Sequence, residues 1–257
     1  MELETGALLI WLALGLAAFA AGVVDAVIGG GMVQLPALFA FLPGVAPPPL
    51  LGTNKFASAI GTTGAAIQYA RSTTTPWSAV IPCMVVAFVA ALAGAYAVTL
   101  IPADPLKKAI PFVLAALLIY TWASGAGKQH APKRSKAEAA VIASSGSSVI
   151  GFYDGFLGAG TGAFYKMLFV RGLGFNFLQA AAPAKFTNVA SNVGAVVAFA
   201  VTGYIFWALG LFMAAANFAG GQLGARIALR YGNEFIRTAF YVVVSLLIAK
   251  TFKDAYL

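Results

Sequence analysis

The sequence predicts an all-α, polytopic membrane protein with about eight transmembrane helices, and three observations lead to this prediction. Of the 257 residues, 61% are hydrophobic and only 9% are charged, whereas a soluble domain carries about 25% charged residues. Apolar segments recur along the chain, and one pattern of polar residues occurs in both halves. This composition excludes a soluble enzyme, a disordered chain and a disulfide-rich secreted scaffold.

Ten apolar segments follow one another, five in each half. In the first half they cover 6–28, 32–43, 49–71, 77–101 and 106–124, and in the second half they cover 138–157, 162–172, 176–201, 205–230 and 235–252. The second segment of each half has about 11 residues, fewer than the roughly 20 that a spanning helix needs. Because each of these short segments follows a glycine-rich break, we expect a half-helix or re-entrant piece there, with four spanning helices in each half.

The two halves are similar in sequence at an offset of 129 to 130 residues. The equivalent residues include an aspartate, a lysine and a tryptophan in each half: Asp25 and Asp154, Lys55 and Lys185, Trp77 and Trp207. Chance similarity between apolar segments does not readily align these residue types. We therefore predict a duplication, with a first transmembrane repeat at 1–127, a polar linker at 128–137 and a second repeat at 138–257. Basic residues lie on both predicted sides, so the membrane orientation, and whether the repeats are parallel or inverted, stay open.

Asp25 and Asp154 each end an apolar helix, four residues before a glycine. A carboxylate at membrane depth is costly, so it is expected to face the bundle interior or a water-filled cavity. Two interpretations stay open. Each aspartate is either a proton-coupling group or a structural acid that accepts backbone N–H groups or pairs with a lysine.

Glycine runs at 29–31 and 158–162 interrupt the apolar pattern in both halves. Interrupted helices at matching places in two halves are the best sequence indication of a transporter binding site. The helix N-terminus after such a break attracts anions through free N–H groups and the helix dipole. Close helix packing through small residues is the alternative explanation.

The lysines Lys55 and Lys185 each begin a polar stripe with spacing i, i+3, i+7, which is one face of a helix. Such a stripe should face a wet cavity or the partner half. The candidate substrate-binding residues are therefore Gly30, Gly31, Asn54, Lys55, Ser58, Gly160, Thr161, Lys185, Asn188 and Asn192. In the alternative interpretation, the two lysines neutralise Asp25 and Asp154 as buried pairs.

The remaining polar residues give weaker signals. Cys83 is the only cysteine and His130 the only histidine, so neither a metal site nor a cofactor is predicted, and the protein is not expected to be an enzyme. Lys166 lies in the second short segment and has no counterpart in the first, where Ala37 stands. It either tunes the local charge or extends to the membrane surface.

The motifs taken together resemble the TauE/SafE sulfite exporter family. They are Gly22-Val-Val-Asp25 with Gly29-Gly-Gly31, Gly52-Thr-Asn-Lys55, Gly151-Phe-Tyr-Asp154 with Gly158-Ala-Gly-Thr-Gly162, the segment from Lys185 to Asn192, and Gly221-Gln-Leu-Gly-Ala-Arg226. The resemblance covers nearly the whole chain. It implies a multi-pass protein of the bacterial inner membrane that transports a small sulfur-containing anion, such as sulfite, thiosulfate or a sulfonate like sulfoacetate.

From this resemblance and the predicted site we expect a secondary transporter that works by alternating access, with its substrate at midplane. The alternatives are an anion channel and a transporter of a non-sulfur organic anion. The expected partners are the small anion and the lipid bilayer, and a homodimer stays open. No nucleic acid is expected, because the basic residues do not form a stripe.

Overall fold

The computed structural model of the chain describes residues 2–28, 33–100, 136–158 and 160–256. Eight helices and no strand lie within these residues: α1 (Glu2–Ile28), α2 (Gln34–Phe41), α3 (Pro47–Ala70), α4 (Trp77–Val98), α5 (Lys136–Phe156), α6 (Thr161–Leu173), α7 (Ala181–Val201) and α8 (Trp207–Tyr256). The helix α8 is interrupted at Gly232, where φ is 74° and ψ is −162°. The predicted all-α class is confirmed.

The second element of each half is short, as predicted. Helix α2 has 8 residues and α6 has 13, so neither is long enough to cross a bilayer. Three segments within the described helices have the length and hydropathy of membrane spans: Leu8–Val27, Trp77–Val98 and Ala181–Val201. The predicted number of eight spans is therefore not confirmed. The segment 106–124 lies wholly outside the described residues. The linker 128–137 lies largely outside them, and His130 is among its undescribed residues. The repeat boundaries stay a prediction.

The helices of the two halves interlock. Helix α1 packs along α8, and α5 packs along α4, so the first helix of each half lies against the last described helix of the other half. Helices α3 and α7 contact each other, and they also contact α8 and α4, respectively. The two lysine-bearing helices therefore meet in the middle of the bundle.

Equivalent aromatic contacts also cross between the halves. The ring of Trp77 lies 4.7 Å from that of Phe186, and the ring of Trp207 lies 5.1 Å from that of Phe56. Both pairs have an edge-to-face geometry, which aromatic rings favour. Because each tryptophan begins its helix and is about half exposed, the contacts also leave indole surface free for the interfacial anchoring that such residues provide in membrane proteins.

Glycines allow the closest helix approaches in the bundle. A Cβ atom added to Gly155 of α5 would collide with the backbone oxygen of Ala91 on α4, and one added to Gly224 of α8 would collide with the backbone oxygen of Val23 on α1. In lipid, helices associate through such tight van der Waals contacts rather than through apolar burial. Many outward side chains are apolar, for example Val85 and Val149, as a lipid-facing surface requires.

Replacing Gly155 by Ala is expected to lower stability by about 1–3 kcal/mol, because the added methyl group overpacks the α4–α5 contact. The melting temperature of the purified protein in detergent measures this effect. Gly44→Ala is the matched control, since an added Cβ there meets no atom within 4 Å. Equal melting temperatures for the two variants would contradict the close approach.

Candidate functional site

The first ion pair of the site joins α3 to α5. The Lys55 ammonium donates a hydrogen bond to Asp154 Oδ1 at 2.5 Å, and the Ser191 hydroxyl of α7 donates to Asp154 Oδ2 at 2.5 Å. The side chains of Lys55 and Asp154 are only 3% and 2% exposed. Both carboxylate oxygens of Asp154 are therefore used inside the bundle.

The second ion pair joins α7 to α1 in an equivalent way. The Lys185 ammonium donates to Asp25 Oδ2 at 2.7 Å and also to the main-chain oxygen of the same residue. Thr62 of α3 donates to Asp25 Oδ2 at 3.2 Å. In contrast to Asp154, one oxygen of this carboxylate, Asp25 Oδ1, is buried and accepts no hydrogen bond from the described residues.

Each lysine therefore reaches the aspartate of the other half of the chain. The lysines and aspartates form buried pairs, as the alternative interpretation of the sequence predicts. A buried ion pair removes the large cost of an isolated charge, because each partner compensates the other. The ammonium groups of Lys55 and Lys185 lie inside the bundle and not at its surface.

The second glycine break lies directly beside the Lys55–Asp154 pair. After α5, Gly158 and Gly160 both have a φ of 77°, in the left-handed region that favours glycine. A Cβ atom on Gly158 would collide with the Lys55 ammonium. Because α6 begins at Thr161, directly after the break, its N-terminus lies in the same part of the bundle. Gly30 and Gly31 of the first break lie outside the described residues.

Three of the predicted site residues carry buried polar atoms that have no hydrogen-bond partner within the described part of the chain. These atoms are Asn54 Oδ1, Ser58 Oγ and Thr161 Oγ1. Nearly all buried polar atoms in proteins are hydrogen-bonded, so exceptions require an explanation such as a bound ion or water. Two of the three residues flank Lys55 on α3, and the third begins α6 after the break.

Two other predicted residues form hydrogen bonds within their own helix. The Asn192 amide donates to the main-chain oxygen of Asn188 at 2.9 Å and to its side-chain oxygen at 3.3 Å. Both residues are buried on α7, close in sequence to Ser191, which binds Asp154. The predicted polar stripe thus lies on the inner face of α7, but its amides contact each other.

Side chains from three other helices bind the C-terminal end of α1, and no shared sequence pattern connects them. The main-chain oxygen of Ala26 accepts a hydrogen bond from Tyr69 at 2.9 Å, and that of Val27 accepts one from the Lys166 ammonium at 2.6 Å. Lys185 binds the oxygen of Asp25, so three consecutive carbonyl groups are capped. These carbonyls lack partners within their own helix, and cations favour such an end.

Lys166 has no exposed surface, so the interpretation that it extends to the membrane surface is wrong. The sequence signal for this residue is general: an ionisable residue within an apolar segment is a functional candidate by default. The signal is weak because Lys166 has no counterpart in the first half.

A buried amide pair fixes the first short helix. The Asn217 side chain of α8 donates to Gln34 Oε1 at 2.7 Å, and Gln34 of α2 donates to the main-chain oxygen of Asn54 at 3.4 Å. Gln34 therefore bridges helices. The sequence does not predict the role of Asn217, since a single asparagine in an apolar helix gives no pattern.

These features define a multi-pass helical membrane protein with two buried lysine–aspartate pairs that join its two halves. The family model for the sulfite exporter TauE/SafE matches residues 14–251. The chain belongs to the TauE/SafE sulfite exporter family, and it is a membrane transporter rather than an enzyme.

Several relatives are similar over almost their whole length. The chain is 37% identical to the probable membrane transporter protein ORF9 of Sinorhizobium sp, over 91% of this chain and 88% of that protein. It is 32% identical to the probable membrane transporter protein YfcA of Escherichia coli K12, over 93% and 88%. It is 30% identical to a probable membrane transporter protein of Haemophilus influenzae, over 92% of both chains. No solved structure matches the chain.

Proposed function

We propose that the protein is a secondary transporter that moves a small sulfur-containing anion across the bacterial inner membrane by alternating access. The substrate class comprises sulfite, thiosulfate and sulfonates such as sulfoacetate. The observation that carries this proposal is the set of unpartnered buried polar atoms of Asn54, Ser58 and Thr161, which lie around the Lys55–Asp154 pair and the glycine break. The description of the family as a sulfite exporter supports the choice of anion.

The chemistry of these groups suits an oxyanion. The hydroxyl groups of Ser58 and Thr161 can donate hydrogen bonds to sulfonate or sulfite oxygens. The unpartnered atom of Asn54 is an acceptor, so Asn54 can contribute to anion binding only through the nitrogen of the same amide. The N–H groups of Ala163 and Phe164 donate to the main-chain oxygen of Gly160, so the N–H groups of Thr161 and Gly162 are the ones at the start of α6 that can favour a negative charge. The Lys55 ammonium supplies the opposite charge, so the substrate would compete with Asp154 for it.

Alternating access is favoured by the closure of the site. Every candidate side chain whose position is described is buried, so water and substrate reach the site only when the surrounding helices separate. A substrate that loosens one of the two cross-half ion pairs would couple its own binding to this separation. Lys55–Asp154 and Lys185–Asp25 are then contacts that differ between the closed and open states.

The ion pairs favour a structural role for both carboxylates. Proton coupling stays a proposal, and it is better placed at Asp25 than at Asp154, because Asp25 Oδ1 accepts no hydrogen bond from a described residue. A proton on that oxygen breaks none of the hydrogen bonds that the described residues form with Asp25. At Asp154, the proton would displace Lys55 or Ser191.

The proposal is tested by reconstituting the purified protein in liposomes and measuring uptake of labelled sulfite, sulfoacetate and thiosulfate, with carboxylate analogues as controls. Thr161→Val removes the unpartnered hydroxyl and keeps the shape of the side chain. It is expected to reduce uptake about tenfold, corresponding to one lost hydrogen bond to a charged group. Thr63→Val on α3 is the control, since that hydroxyl binds only Ala59 O of its own helix.

The outcomes separate the candidate functions. Saturable uptake that is accelerated by substrate on the opposite side supports a carrier. Flux without saturation or counterflow would replace the carrier by an anion channel, and uptake of the carboxylates alone would replace the sulfur anion by a non-sulfur organic anion. Equal uptake by the two threonine variants would remove Thr161 from the site.

A further inference from the structure

In their ionised forms, the buried side chains of the described residues do not balance in charge. Five charged side chains are buried there: Asp25, Lys55, Asp154, Lys166 and Lys185. Two ion pairs account for four of them, and the remaining one, Lys166, forms no ion pair with a described residue. Its only described hydrogen-bond acceptor is the main-chain oxygen of Val27, and a neutral carbonyl does not cancel the charge of an ammonium group.

Lys166 is connected to both ion pairs. Its helix, α6, begins at Thr161 beside the glycine break that contacts Lys55. Its ammonium binds Val27 at the end of α1, two residues after the aspartate that binds Lys185. The Lys166 ammonium therefore lies on the side of the Lys185–Asp25 pair, on a helix whose N-terminus lies beside the Lys55–Asp154 pair.

An ammonium group without an anionic partner is costly at membrane depth, so an anion bound nearby is what favours the charged form of Lys166. In the proposed site, one negative charge from a bound substrate brings the sum of the described buried charges to zero. Two negative charges leave an excess of one negative charge, which is costly for the same reason. The first half adds no second lysine, because Ala37 stands at the equivalent position.

We infer that Lys166 supplies the unbalanced positive charge of the site, which a bound anion with a single negative charge, such as methanesulfonate, neutralises. This inference rests on the proposed function. It names Lys166 as a residue whose charge attracts the anion. It also narrows the substrate class from sulfur oxyanions in general to those with one negative charge, which leaves out the divalent thiosulfate and sulfoacetate.

A matched pair of probes tests the inference on the full-length protein in detergent. Methanesulfonate and sulfate are tetrahedral anions of similar size that carry one and two charges. We expect the wild-type protein to bind methanesulfonate at least about tenfold more tightly than sulfate, measured by titration calorimetry. This measurement needs no variant, so a preference for sulfate would overturn the inference regardless of how any variant folds.

Substitutions then separate charge from helix capping. Lys166→Met is expected to weaken binding about tenfold for methanesulfonate and about a hundredfold for sulfate, because the lost Coulomb interaction scales with the charge of the anion. Lys166→Gln, which keeps a hydrogen-bond donor, should behave like Met, and Lys166→Arg should retain binding. Arg226→Met is the control, since Arg226 is an exposed cation that bonds to Gln222 on its own helix.

Each possible result leads to a different conclusion. Wild-type protein that binds neither probe, nor any anion of the uptake panel, would remove the proposed function itself. The role of Lys166 alone would be overturned if Lys166→Gln bound the probes like the wild-type protein, or if the substitution weakened the binding of both anions equally. A charge-dependent loss in Lys166→Met or Lys166→Gln, absent in Arg226→Met, supports the inference.

Discussion

Replacing Lys55 by Met is expected to destabilise the protein by about 3–5 kcal/mol, because Asp154 would stay buried without its cation. Only the Ser191 hydroxyl would still donate to the carboxylate among the described residues, and a hydroxyl does not offset a full charge. The fall in melting temperature of the purified protein in detergent measures the effect. Arg226→Met, which removes an exposed cation that bonds to Gln222, is the control and should stay within about 0.5 kcal/mol.

The double variant Lys55→Met with Asp154→Leu separates stability from transport. Replacing both members of a buried ion pair by apolar residues is often neutral, so the melting temperature should return to near the wild-type value. Uptake in liposomes should stay lost, because the ammonium group that would hold the anion is gone. A double variant that transports like the wild type would show that Lys55 serves only to neutralise Asp154.

The second large effect is an asymmetry between the two aspartates. Asp154→Asn is expected to cost about 3–5 kcal/mol, since it leaves Lys55 with no described anionic partner. Asp25→Asn should cost less, roughly 1.5–3 kcal/mol, because Lys185 retains its hydrogen bond to the main-chain oxygen of the same residue.

Melting temperatures of the two variants, measured side by side in one detergent, check this order. Both substitutions replace one carboxylate oxygen by an NH2 group at equivalent positions of the duplicated pattern, so each serves as the control for the other. An Asp25→Asn variant that melts at or below the temperature of Asp154→Asn would contradict the asymmetry.

The sequence patterns locate the charged residues of the site but not their partners. Asp25, Asp154, Lys55 and Lys185 stand out because each is an ionisable residue in an apolar segment with an equivalent in the other half. Equivalence, however, does not specify which lysine meets which aspartate. That depends on how α3 and α7 lie between the other helices, and this arrangement follows from small-residue contacts whose partners a single sequence does not reveal.

The duplicated pattern also omits residues that matter to the site. Tyr69 and Lys166 both cap carbonyl groups of α1, but neither belongs to the repeated pattern. The two half-helices are predictable because their length and their glycine breaks are local properties. The caps are not, because they join positions that are distant in sequence and meet only after the bundle has packed.

The interlocking of the first and last helices has a mechanical consequence. Any rigid-body movement that preserves the packing of α1 on α8 and of α5 on α4 must carry residues from both ends of the polypeptide together. Each moving part of this protein therefore combines N-terminal and C-terminal helices, and dividing the chain at its middle would not separate the parts.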